Sequence, residues 1–154
     1  MDTRAEIERV YRERFAIYVG AVAGIVGSRE AARDVVQEAF LRALTRSGRF
    51  RGGSLEAWIW VIVVNRARDV RRRPQMGELE ESILTAEVGG SALVAAVLAL
   101  PERRRTVVLL RHVAGLQNSE IATALGISPG TVAATLSQAR AELSKALEPE
   151  GTPR

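Results

Sequence analysis

Cysteine is absent from this chain of 154 residues, histidine and lysine occur once each, and aromatic residues make up only 5%. The first absence excludes disulfides, thiolate metal centres and cysteine nucleophiles, and it suits a cytoplasmic protein. The one histidine, His112, has no second imidazole with which to complete a metal site or a catalytic pair, so it reads as a structural helix residue in Leu109-Leu110-Arg111-His112-Val113. No acid/base pair, metal cluster or phosphate-cradling glycine loop stands out, so an enzyme is the least supported class and no cofactor is implied. Long hydrophobic runs are missing as well. The apolar run at residues 58–64 falls short of the roughly 20 residues that span a bilayer, and Met1-Asp2-Thr3-Arg4-Ala5-Glu6 lacks the apolar core of a signal peptide, so no membrane association is expected.

Strand-like alternation is scarce too, whereas apolar residues recur at helical intervals, and the expected class is all-α. Residues 5–26 carry Ile7, Val10, Tyr11, Phe15, Tyr18 and Val22 on one stripe, with Gly27 as the stop and Gly20 or Gly24 as points where the helix would break. Ser28 caps a second helix over residues 29–44, with Glu30 in its first turn where the helix dipole favours an acid. A polar loop over residues 45–53 leads to Ser54, the cap of a third helix that runs from Leu55 to the cluster Arg71-Arg72-Arg73 and ends before Pro74. Residues 74–91 are acidic and glycine-punctuated, the composition of a flexible linker, and would reach roughly 60 Å fully extended. A short helix over residues 92–100 follows, and Pro101 opens another over residues 102–114 that Gly115 stops. The expected organisation is a front domain (1–73), a linker (74–91), a back domain (92–148) and a tail (149–154), two small helical units on a tether long enough to separate them.

Charge is uneven along that plan. Residues 1–76 hold 15 arginines against nine acids, residues 77–100 hold four acids and no base, and residues 101–154 hold seven bases against five acids. The basic character therefore sits at the front. Arginine supplies every base but Lys145, a bias that fits a GC-rich genome as well as it fits phosphate binding.

The most informative motif lies at residues 117–147. Ile121, Ala122 and Leu125 fall at helical spacing before Gly126, which most easily takes the left-handed conformation of a helix end. Ser128 can cap the next helix, and Pro129 at its first position forfeits no hydrogen bond. Val132, Leu136, Ala139 and Leu143 then form an apolar stripe. Two short helices about a glycine turn read as a helix-turn-helix, whose second helix would lie in the DNA major groove. The same residues also fit an antiparallel helical pair that only packs.

Taken in order, Asp34-Val35-Val36-Gln37-Glu38-Ala39-Phe40-Leu41-Arg42-Ala43-Leu44, then Ala57-Trp58-Ile59 with Asn65 and Asp69, then Leu100-Pro101-Glu102 and Glu120-Ile121-Ala122 with Gly126-Ile127-Ser128 and Gly130-Thr131-Val132, the chain resembles the extracytoplasmic-function group of bacterial sigma factors. These are the smallest RNA polymerase initiation factors of the sigma-70 family, built from sigma regions 2 and 4 alone. The resemblance covers nearly the whole chain. It implies a factor that binds core RNA polymerase, recognises two promoter elements and helps to melt the downstream one, with no catalytic residues of its own.

The resemblance also implies particular surfaces. Asp34, Gln37, Glu38 and Leu41 would dock on a coiled coil of the polymerase's largest subunit. Arg46, Arg49 and Arg51 of the loop, Trp60, and Asn65, Arg66, Arg68, Arg72 and Arg73 of the third helix would engage the downstream promoter element. Trp58 matches a position that is largely core. Ser128, Gly130, Thr131, Thr135, Ser137, Gln138 and Arg140, with Arg103 and Arg111 from the adjoining helix, would contact the upstream element. An apolar groove of the back domain would hold the flap of the second-largest subunit, and an anti-sigma protein is a further partner the family uses.

Two departures from the family pattern stand out. Val61 occupies a position that often carries a base, and the stretch Ala133-Ala134-Thr135-Leu136-Ser137-Gln138 has no base before Arg140. Fewer phosphate contacts mean weaker autonomous DNA binding. The base-poor second helix favours one alternative, a sigma mimic that sequesters an anti-sigma protein; another is a stand-alone helix-turn-helix regulator, for which no dimerisation or ligand module is apparent.

Overall fold

The computed structural model describes residues 2–71 and 91–148, so the expectations for Arg72, Arg73, the flexible linker and the C-terminal tail lie outside the described residues. Within that range the chain is all-α, with α1 (Thr3–Val26), α2 (Arg29–Thr45), a 3-10 turn (Ser47–Arg49), α3 (Leu55–Arg71), α4 (Ser91–Leu98), α5 (Glu102–His112), α6 (Asn118–Leu125) and α7 (Pro129–Ala146).

Local chemistry sets most of these boundaries. Asp2 starts α1 by accepting from the backbone N–H groups of Arg4 and Ala5, and Gly27 ends it at φ 85°. Ser28 accepts from the N–H of Ala31 to start α2, and Ser54 accepts from the N–H of Ala57 at 3.1 Å to start α3. Each cap satisfies a donor that the first helical turn leaves without a partner. Contrary to expectation, α1 is not broken at Gly20 or Gly24. It runs for 24 residues, and both glycines lie on its buried side. At Gly24 the missing side chain is what admits Leu109 of α5, rather than what interrupts the helix.

In the front half, α1 packs along α2, and both pack on α3. Its core is an aromatic series: Tyr11 lies edge-on to Phe40 at 5.2 Å between centroids, Phe40 edge-on to Tyr18 at 5.1 Å, and Tyr18 flat against Trp60 at 4.3 Å. In the back half, α5, α6 and α7 enclose Leu109, Leu110, Leu116, Ile121, Val132 and Leu136. The two halves also meet directly, α1 on α5 and α3 on α6, so one apolar cluster runs through both. The sequence plan of two units standing apart on a tether contains no hint of this seam.

Candidate functional site

Helical phase puts Asp34, Gln37 and Leu41 on one outward face of α2, and all three are exposed. Leu41 is a large apolar side chain with 65% of its surface in solvent. Beside it, Ile7, Tyr11, Phe40 and Leu44 floor a groove of about 450 Å³ between α1 and α2, with Glu8, Arg12 and Gln37 at its rim. An apolar floor with a polar rim is the anatomy of a protein-docking surface. Glu38, one turn on from Asp34, keeps 40% of its side-chain surface in solvent, while its carboxylate accepts from Arg66 Nε of α3 at 2.8 Å and from Arg42 at 3.4 Å, so it also ties α2 to α3.

The loop before α3 carries Arg46, Arg49 and Arg51 into solvent, and Arg51 donates to the Gly48 carbonyl at 2.6 Å to close the turn. Phe50 leans on Trp58 at 5.7 Å, anchoring the loop to the helix. On α3, Asn65 and Arg68 are exposed one turn apart, while Arg66 is half-buried and held by Glu38.

Trp60 requires a correction. It is wholly buried, stacked on Tyr18, and its indole N–H meets no acceptor, so it offers no surface to a nucleobase. The signal was present in the sequence: Ala57, Trp60, Val64 and Ala67 share one helical face, and all are buried. The aromatic surface beside the loop belongs instead to the Phe50–Trp58 pair, whose members are both half-buried.

In the helix-turn-helix, Gln117 and Glu120 form a reciprocal capping box at the start of α6, and Gly126 ends it at φ 70°. Ser128 accepts from the N–H of Thr131 at 3.0 Å and also contacts its hydroxyl, with Pro129 in the first turn of α7. Gly130, Thr131, Ala133, Ala134, Ser137, Gln138 and Arg140 face outward. Thr135 does not, which corrects its assignment to the DNA-reading set. It is buried beside Val132 and Leu136, and its hydroxyl donates to the Thr131 carbonyl at 2.7 Å.

Of the arginines beside this motif, Arg103 is exposed, whereas Arg111 donates to the Leu116 carbonyl at 3.1 Å and fixes the turn before α6. Arg104 pairs with Glu142, and Arg105 reaches the carbonyls of Leu98 and Leu100. Partial burial, and then Arg111 and Arg140, hold His112 below the ordinary imidazole range.

Thr135→Val keeps the shape and loses only a hydroxyl already bonded within the helix, so it should leave thermal stability, followed by circular dichroism, within about 1.5 kcal/mol of the parent chain.

Comparison with known proteins assigns both halves. Residues 10–75 match Sigma-70 region 2 and residues 91–143 match Sigma-70, region 4. The chain is 30% identical to the RNA polymerase sigma-H factor of Pseudomonas aeruginosa, covering 85% of this chain and 80% of that one. It is 32% identical to the ECF RNA polymerase sigma factor EcfG of Rhodopseudomonas palustris, covering 81% and 76%. Among solved structures, CnrH in complex with the cytosolic domain of CnrY superposes with a TM-score of 0.73 at 24% identity, covering 92% of this chain and 86% of that one. The sigma factor RpoE bound to the anti-sigma factor NepR from Bartonella quintana gives 0.66 at 20% identity, covering 93% and 99%.

Proposed function

Because this chain belongs to the extracytoplasmic-function group of the sigma-70 family, whose members direct RNA polymerase in transcription initiation, we propose a division of that work among its surfaces. The outward face of α2 and the α1/α2 groove dock on the largest subunit of core polymerase. Asp34 and Gln37 meet basic and polar partners there, and Leu41 enters an apolar contact. The loop arginines Arg46, Arg49 and Arg51, with Asn65 and Arg68, hold the downstream promoter strand. The Phe50–Trp58 pair offers the aromatic surface on which an unpaired base can stack. The exposed start of α7 lies in the major groove of the upstream element, read by Thr131, Ser137 and Gln138, with Arg103 and Arg140 on phosphates.

The observation that carries this reading is the exposed Leu41 beside an apolar groove with Asp34 and Gln37 on the same face. The phosphoryl-transfer chemistry remains the polymerase's.

One feature favours a second reading. The outer face of α7 shows Ala133 and Ala134 where phosphate-binding side chains would help, which suits a sigma-like decoy that occupies an anti-sigma protein. Nuclease footprinting discriminates. The chain with core polymerase should protect two separated patches upstream of a start site, and the chain alone should protect neither at the same concentration. Tight site-specific protection by the free chain would make it a conventional regulator, and stable core binding with no footprint on any template would make it the decoy.

A further inference from the structure

Where α1, α3, α5 and α6 come together, they leave a cleft of about 370 Å³. Its two polar walls are helix faces. Val64, Ala67 and Arg68 lie on one side of α3, and Glu102, Arg103 and Thr106 on one side of α5, because three- and four-residue spacings bring side chains together on a helix. Ile25 from the end of α1 and Leu125 from the end of α6 complete the lining, and both are buried.

Three features of this cleft suit an anion. The first is charge: Arg68 and Arg103 are exposed, reach the cleft from different helices, and make no ion pair among the described residues, whereas Glu102 at the same rim has a partner of its own. The second is the start of α5, an 11-residue helix whose N-cap, Pro101, makes no side-chain capping bond, so N–H groups of the first turn are left for a ligand. The third is Thr106. It keeps only 8% of its surface in solvent, yet its hydroxyl has no hydrogen-bond partner among the described residues and is not sealed from solvent, so the access it keeps is through the cleft it lines. Elsewhere in this chain Thr45, Thr123 and Thr135 donate to the carbonyl four residues earlier, the usual outlet for a threonine within a helix. Thr106 leaves that bond unmade. A nearly buried hydroxyl without a partner is costly, and a ligand oxygen in the cleft would satisfy it.

We propose that the cleft binds a small phosphorylated molecule with an apolar or aromatic body, of the class of a nucleoside diphosphate. Its phosphates meet Arg68, Arg103 and the first turn of α5, with the Thr106 hydroxyl donating to a phosphate oxygen, and its body lies against Ile25, Val64, Ala67 and Leu125. Concavity and size favour a discrete ligand over a DNA backbone: the volume falls within the range of small-molecule sites, and the apolar wall has nothing to offer a phosphodiester. Arg68 and Arg103 are also the groups given to DNA phosphates above, so an occupied cleft would compete with promoter contacts. That consequence rests on the reading above, whereas the binding itself does not.

Isothermal titration calorimetry of the full chain with ADP and with GDP, without polymerase or DNA, tests the site. At least one of the two should bind with a Kd below about 1 mM. Pyrophosphate, which lacks the body, should bind about tenfold more weakly, and adenosine, which lacks the phosphates, should give no binding at the same concentration. Arg68→Ala and Arg103→Ala should each weaken nucleotide binding about tenfold, the loss of a charge-assisted hydrogen bond. Thr106→Val should weaken it about threefold, and Thr106→Ser, which keeps the hydroxyl, should bind like the unaltered chain. Arg33→Ala removes the same charge from an exposed position outside the cleft and should change nothing. Circular dichroism should show the same helical signal for every variant. Absence of binding by both nucleotides at about 1 mM, pyrophosphate binding as tight as the nucleotide, or an equal loss from Arg33→Ala overturns the proposal. Because the titration contains neither polymerase nor DNA, failure of this site shows separately from failure of the chain to initiate transcription.

Discussion

Trp60→Ala should cost the front half about 3–5 kcal/mol of stability, the range for truncating a large buried aromatic. Trp60 is fully enclosed and lies nearly parallel to Tyr18, with 9° between the rings. Tyr18 in turn supports Phe40, and Phe40 supports Tyr11. Removing the indole therefore leaves a cavity at the end of a packed series. The same burial pushes the Tyr18 hydroxyl far above the ordinary phenol range, with the Glu56 carboxylate adding to the effect, so Tyr18 stays neutral and donates to Glu56. Trp60→Phe keeps a ring against Tyr18 and removes an N–H that meets no acceptor, so it should cost less than the alanine variant. Urea unfolding followed by circular dichroism checks both. A residue whose task was to stack on DNA would behave differently, losing promoter opening while stability stayed within about 0.5 kcal/mol of the parent chain.

The second large effect concerns α2. Asp34→Ala, Gln37→Ala and Leu41→Asp combined should weaken binding to core polymerase about 100-fold, equivalent to roughly 2.7 kcal/mol, because a charge at an exposed apolar anchor removes its burial and adds a desolvation penalty. Stability should hardly change, since all three side chains point into solvent. Glu38→Ala leaves Arg66 of α3 without its carboxylate partner at 2.8 Å; the pair is partly exposed, so stability should fall by no more than about 1 kcal/mol, while core affinity falls less than in the triple variant. Titrating labelled protein with core polymerase alongside thermal unfolding separates the two patterns. Equal core affinity for the triple variant and the parent chain would remove α2 from the docking surface.

The parts legible in the sequence are those that local chemistry decides. Ser28, Ser54 and Ser128 cap the helices they precede, and Gly27 and Gly126 end theirs with positive φ. Of the stripe Val132, Leu136, Ala139 and Leu143, the first three are buried as their spacing implies and Leu143 is half-buried against them. Misplaced residues were those whose role depends on helical phase within a motif borrowed from a family. Trp60 and Thr135 lie one or two turns from exposed positions yet on the inward face, and a phase count along each helix would have placed them. The Glu38–Arg66 pair was hidden for another reason: the two lie 28 positions apart, and no local pattern pairs them.

The seam was the least legible feature. Gly24 looked like a helix breaker because a glycine within one helix carries no information about a leucine 85 residues later. Likewise Arg14 and Ala114 are 100 positions apart, and Ser54 and Glu120 are 66 apart. Contacts of this range are set by the packing of finished helices, and composition suggested only that the halves could separate. The same feature reshapes the view of the helix-turn-helix. Its second helix shows few bases to DNA, and its first helix is engaged with the front half, so its DNA affinity in the free chain should be low on both counts.

The most direct test of the whole account is run-off transcription by purified core polymerase on a library of promoter fragments, with and without this protein, and with transcript start sites mapped. Transcripts with a common start, dependent on the protein and sharing two upstream sequence elements, are the predicted result. No start-specific transcript from any fragment, despite stable binding of the protein to core polymerase, would contradict it.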